Sequence, residues 1–183
     1  MAVAAGEYEI GQHTGRLLVR TFRQGVAARV GHDLLIEATV WEGHITVPPD
    51  SAMQPALSVR VDLGALKVLE GTGGVKPLSD GDKQQIQQTM HKLLKVDRRR
   101  EATFTSTRAE VHDDSAIVEG ELTLVGQTRP LRLEVRQRDD VTVAGTASLV
   151  QSQWGIKPYS GFFGALKLRD AVDVEFTVAL PRG

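Results

Sequence analysis

The chain has 183 residues, 22 basic and 23 acidic, and the resulting formal charge of −1 gives no net field to draw in nucleic acid or a membrane surface. A hydrophobic fraction of 41% beside 25% charged residues fits a soluble globule long enough to bury a core, and the lack of cysteine excludes disulfides, thiolate zinc sites and cysteine nucleophiles. Met1 to Ile10 carries neither a basic n-region nor an apolar run, and no later stretch suffices to span a bilayer, so the sequence predicts a cytoplasmic protein without stable membrane insertion.

Alternation of apolar and polar residues recurs along most of the chain, as a sheet around an apolar interior requires. It begins with Leu17, Val19 and Thr21. It returns in Leu57, Val59, Val61 and Leu63, between which Ser58, Arg60 and Asp62 are polar. From about Leu66 to Val96 the rhythm breaks. Glycine-rich Glu70 to Asp80 predicts a surface loop. A helix is then predicted around residues 82–95, with Ser79 or Asp80 as N-cap and Ile86, Met90, Leu93 and Leu94 as an apolar stripe. Laid across a barrel mouth or against its flank, that stripe makes a lid of Ile86, Met90 and Leu93.

Ala102, Phe104 and Ser106 resume the alternation. Gly120 to Val135, GELTLVGQTRPLRLEV, reads as a β-hairpin. Leu122 and Leu124 share one face, Leu131, Leu133 and Val135 share the matching face of the second arm, and Gly126 to Pro130 form the turn. The clearest alternation comes last, in Val172, Val174, Phe176, Val178 and Leu180. Strands at short spacing with a single helical interruption predict one antiparallel barrel or sandwich over residues 1–183 rather than two domains.

Chemistry-bearing residues are sparse. His13, His32, His44, His91 and His112 show no metal-ligand spacing, so neither a metal nor another cofactor is expected. An enzyme would have to use His32 and Asp33, with His91 brought over them by the helix, as a hydrolase-like group at a barrel mouth. Neighbours on an extended segment point to opposite faces, which favours a structural turn at Gly31 to Leu34 instead. Two segments are candidates for the rim. Arg98, Arg99 and Arg100, after Lys92 and Lys95, would meet a phosphate or form a solvated charge run favoured by the helix dipole. Trp154 to Gly164, WGIKPYSGFFG, offers Trp154, Tyr159 and Phe162 as a gate or subunit contact, or as a corner in which Trp154 and Phe162 plug the barrel end.

The order of these landmarks resembles the YceI-like proteins, lipocalin-like barrels of bacterial type associated with binding polyisoprenoid lipids. Tyr8-Glu9-Ile10 resembles the family's opening strand, and the helix followed by Ala102-Thr103-Phe104-Thr105-Ser106-Thr107 resembles its helix and next strand. GELTLVGQTRP, at Gly120 to Pro130, is similar to its most distinctive hairpin. Ser152-Gln153-Trp154-Gly155-Ile156 resembles its aromatic-Gly-Ile turn. The resemblance implies a mainly β fold, an eight-stranded antiparallel barrel around a long apolar pocket, a fatty or isoprenoid chain as ligand, no chemistry on it, and a homodimer. Departures point to a divergent subgroup. Most relatives are exported, His91-Lys92-Leu93-Leu94-Lys95 stands where a histidine with paired aromatics is usual, and Gly31-His32-Asp33-Leu34 is a different turn.

Strand parity nominates the wall that such a ligand would touch. The first strands contribute Leu17, Val19, Leu57, Val59 and Val61, the middle ones Phe104, Leu122, Leu124 and Leu133, and the last Leu149, Val174, Phe176 and Val178. The same parity also fits a barrel filled by its own side chains, serving as a structural or protein-interaction module.

Overall fold

The structure is a computed structural model that describes residues 3–50 and 52–180; the side chain of Phe162, named above for the rim, lies outside the described residues. In chain order its strands are β1 (Gly6–Gly11), β2 (Gly15–Thr21), β3 (Arg23–Gln24), β4 (His32–Ala38), β5 (Trp41–Val47), β6 (Ala56–Asp62) and β7 (Leu66–Gly73). The helix α1 (Asp80–Leu93) follows. Then come β8 (Glu101–Val111), β9 (Ser115–Leu124), β10 (Gln127–Gln137), β11 (Thr142–Val150), β12 (Ser160–Gly161), β13 (Leu166–Leu168) and β14 (Ala171–Ala179).

Eleven strands form one antiparallel sheet in the order β1-β5-β6-β8-β9-β10-β11-β14-β2-β4-β7, and β12, β13 and β3 form a small second sheet. The large sheet curls into a half-barrel whose edges are β1 and β7, with no ladder joining them among the described residues. The fold is mainly β with one helix, as expected, but the eight-stranded closed barrel is corrected to eleven strands in a half-barrel. Part of the correction is β7. Leu66 to Gly73 was expected to lie outside the strands, yet Leu66 and Val68 are both buried on its inner face. Its glycine-rich end had hidden a strand that pairs with β4 across a bulge at Leu35/Ile36.

The helix packs against β7, the edge strand, where Lys83 Nζ donates to the Leu69 carbonyl at 2.8 Å. It begins two residues earlier than predicted because Ser79 and Asp82 form a capping box. The Asp82 amide donates to Ser79 Oγ at 3.1 Å, and the Ser79 amide donates to Asp82 Oδ2 at 2.9 Å.

The hairpin turn also moves. Leu124 pairs with Gln127, so the turn is Val125-Gly126 alone, and Gln127 to Pro130 belong to β10. Both turn residues have positive φ, +52° and +78°, as a two-residue hairpin loop of the primed type requires. Valine is costly there, and burial of its side chain in the core offsets the strain. Beneath the hairpin lies Trp154, the end of a short 3₁₀ turn (Gln151–Trp154), only 1% exposed and donating Nε1–H to the Leu122 carbonyl at 2.9 Å. At another corner the β4–β5 and β6–β7 connections are tied together. The Thr39 amide donates to the Ala65 carbonyl at 3.1 Å, and the β6–β7 connection is also held to the chain entering β8, the Leu63 amide donating to the Arg100 carbonyl at 2.8 Å.

Candidate ligand-binding cavity

The concave face of the sheet and the inner side of α1 enclose a cavity of about 910 Å³ to which every strand of the large sheet contributes. That is near the top of the range of small-molecule pockets, ~300–1,000 Å³. The wall is made by strand parity. In β6, Leu57, Val59 and Val61 line it while Ser58 and Arg60 face solvent. Leu17, Val19, Phe104, Leu122, Leu124 and Leu133 line it too, as do Leu149, Val174, Phe176 and Val178. All thirteen wall candidates are thus on one surface. Ile86, Met90 and Leu93 of α1 complete it from the side.

Burial separates part of this wall from an ordinary core, since Phe104, Leu124, Leu133, Leu149 and Val178 are buried and the other wall residues are only partly so. Leu17, Val19, Leu57, Val59, Val61 and Val174 point inward yet are only partly buried, because the space beyond them is the cavity and not another side chain. Sequence reasoning missed the share contributed by β4 and β5, namely Leu34, Ile36 and Ala38 and then Trp41, Ile45 and Val47. The alternation of 34, 36 and 38 was the available signal.

Polar groups on the cavity surface gather where the chain passes from β7 into α1. His32, Lys76, Asp82, Gln85 and Thr89 line it there. The His32 ring nitrogen Nε2 shares a hydrogen bond with the Lys76 carbonyl at 2.8 Å. The Ser79 hydroxyl and then its amide hold the Asp82 carboxyl below the usual carboxylate range, and the charges of Lys76 and His32 act in the same direction. Deeper groups are unpartnered. Thr21 shares the inward parity of Leu17 and Val19, is 7% exposed, and its Oγ1 has no hydrogen-bond partner among the described residues; nor has Trp41 Nε1, on another lining residue.

Several rim candidates lie elsewhere. Arg98, Arg99 and Arg100 do not line the cavity; Arg100 Nη2 pairs with Asp62 Oδ2 at 3.0 Å, and Arg99 lies against Gly126 of the hairpin turn. The intervening burial of Leu94 and Val96 turns this charge run outward. Trp154 is a plug, not a rim residue, since its indole is buried under the hairpin. Tyr159 does line the cavity and is exposed.

His32, Asp33 and His91 do not assemble. Asp33 Oδ1 accepts from the Arg23 amide at 2.7 Å, and of the three only His32 lines the cavity. His91 stands nine residues along α1 from Asp82, ~13 Å of rise, with its Nε2 unpartnered among the described residues. Among the described residues no group of three or more His, Asp or Glu side chains is placed to hold a metal ion, and no helix is long and apolar enough to cross a membrane.

The model of the YceI-like domain family matches residues 21–180. The fold is similar to that of BcnA from Burkholderia cenocepacia, with 13% identity and a TM-score of 0.69 over 94% of this chain and 99% of that one. It is also similar to a Saccharophagus degradans structure described as a polyisoprenoid binding domain implicated in plant cell wall breakdown, with 11% identity and a TM-score of 0.57 over 97% and 100% of the two chains. A Campylobacter jejuni YCEI protein gives 14% identity and a TM-score of 0.52 over 81% and 85%. At such identities the likeness is one of fold alone. No curated protein matches the chain.

Proposed function

Because the chain belongs to the YceI-like domain family, we propose that it binds a long-chain amphiphile, with an isoprenoid or fatty tail inside the half-barrel and the polar end toward His32, Lys76 and Gln85. The observation that carries this reading is the partly buried inner wall. A self-filled barrel would bury Leu17, Val59 and Val174 against one another, whereas here they border about 910 Å³ of cavity. At ~30 Å³ per water-sized group, that volume takes on the order of thirty methylene-sized groups.

The protein acts on this cargo as a carrier or store and not as an enzyme, a reading supported by the separation of His32, Asp33 and His91. The description of the Saccharophagus degradans relative as a polyisoprenoid binding domain supports an isoprenoid as the tail. Each buried methylene contributes ~0.8 kcal/mol, so affinity for a homologous series should rise roughly fourfold per carbon until the cavity is full. Native mass spectrometry of protein from its own host, followed by organic extraction, tests the proposal. A stoichiometric long-chain adduct, or uptake of added polyprenyl or fatty ligands, is expected. A clean apo mass with no uptake of either would overturn it.

A further inference from the structure

Three segments border the polar end of the cavity and are tied to one another: 22–31 between β2 and β4, 71–79 comprising the end of β7 and its connection to α1, and 155–169 after the Trp154 turn. The Ala27 amide donates to the Ala165 carbonyl at 3.0 Å, and β3 pairs with β13. Arg23 Nη1 donates to the Gly31 carbonyl at 2.7 Å, and the bond between His32 and Lys76 draws in the third segment. Each segment also reaches the lumen, through Val30, Val75 and Tyr159.

Their composition differs from that of the rest of the chain in two ways. Eight large apolar side chains are exposed among the described residues, and five of them, Val26, Val30, Val75, Tyr159 and Phe163, sit on these segments. Val26 is 94% exposed, and Phe163 projects fully into solvent from a backbone with φ of +54°, a left-handed conformation that a bulky residue rarely adopts. The second difference is charge. The segments carry Arg23, Arg29, Lys76, Lys157, Lys167 and Arg169 and not one Asp or Glu, in a chain where acids outnumber bases 23 to 22. Asp33, beside Arg23, and Glu70, Asp80 and Asp170 lie just outside them, and Asp82 lines the same end of the cavity.

We infer that this mouth docks on an anionic lipid bilayer, with Val26 and Phe163 inserted among the headgroups and the surrounding cations against lipid phosphates. Apolar tips ringed by Lys and Arg are the pattern that holds peripheral proteins in the membrane interface. Here the tips surround the entrance to an apolar lumen, so a tail would pass between bilayer and cavity without crossing water. That consequence rests on the carrier reading; the docking itself does not.

Flotation with vesicles of phosphatidylcholine alone, and of phosphatidylcholine mixed with an equal amount of phosphatidylglycerol, tests the inference. The full chain is expected to float at least tenfold more strongly with the mixed vesicles and to lose that preference in ~1 M salt, where the screening length shrinks to about 3 Å. Val26→Asp with Phe163→Asp, and separately Arg29→Glu with Lys157→Glu, should each cut flotation at least tenfold while leaving uptake of a dispersed chain ligand unchanged, since none of the four lines the cavity. No flotation, equal flotation on both vesicles, or variants that float like the parent would overturn docking and leave the patch as a protein contact. Flotation without uptake of dispersed ligand would keep docking and sink the carrier reading.

Discussion

Trp154, packed beneath the β9–β10 hairpin, and Val125, in its turn, differ from Leu17, Val59 and Val174, on the wall of the lumen: all are apolar side chains turned to the inside, yet they meet different surroundings. The first group is buried against protein and does not border the cavity; the second is partly buried and borders it. Inward orientation therefore does not fix a residue's role. Packing under the hairpin stabilises the fold, and the unpacked wall provides a surface for something else.

The largest expected break in that contrast comes from Trp154→Ala. It removes a side chain that is 1% exposed together with the Nε1–Leu122 hydrogen bond, and should cost ~3–5 kcal/mol in chemical denaturation. A loss below about 1 kcal/mol would show that the plug is not needed. On the wall the expectation reverses. Val59→Trp adds bulk to a residue that borders open volume, so the denaturation midpoint should hold while affinity for a long-chain ligand falls more than tenfold. If stability fell and affinity held, the wall would be core after all.

The wall was legible in the sequence where one face is wet. Leu57, Val59 and Val61 alternate with Ser58 and Arg60, and Leu17 with Arg16 and Arg20 nearby, so the parity of β6 and β2 could be read directly. It was obscured in β4, where Leu34, Leu35 and Ile36 run together, and in β5 and β7, where Gly43, Gly71 and Gly73 interrupt the pattern. The expectation of eight strands came from the family resemblance, and these interrupted patterns offered nothing to correct it. The hairpin turn was placed too late because Val125 is a residue that local propensity would not put at positive φ; its burial overrides the propensity. Mouth charges were invisible for another reason, since a net charge of −1 averages acid-free segments with acidic ones.

Thr21 sharpens the comparison from inside the wall, because it is buried like the plug but faces inward with Leu17 and Val19. Its hydroxyl lacks a partner among the described residues, so Thr21→Val removes an uncompensated desolvation and should stabilise the protein by about 1 kcal/mol. In the presence of a ligand bearing an oxygen near that position the same change should weaken binding. An apo protein destabilised by the substitution would mean that the hydroxyl is satisfied in solution.

The smallest effect belongs to the outer face, where solvent replaces both protein and lumen as the neighbour. His44, on β5, pairs through Nδ1 with Glu9 Oε1 at 2.7 Å and through Nε2 with Glu7, both on β1. Bonding to Glu9 and then Glu7 raises the imidazole above its ordinary value, while Thr46 and then His44 lower the Glu7 carboxyl. The His44 contribution is therefore full below its unfolded value, near pH ~6.5, and is lost as pH rises through the raised folded value. Glu7 acts in the opposite sense. Its contribution is full above ~4.3 and is lost as pH falls through the depressed folded value, so the ladder between β1 and β5 is strongest between these limits. Relative to the parent, His44→Gln should lower the denaturation midpoint within that window and converge with it on the alkaline side, and salt should shrink the gap because all three groups are solvated. Trp154→Ala, whose side chain bonds only to a backbone carbonyl, should shift stability by the same amount at every pH. If His44→Gln gave such a flat offset too, its effect would be one of packing on β1, and the outer face would have to be read like the other two.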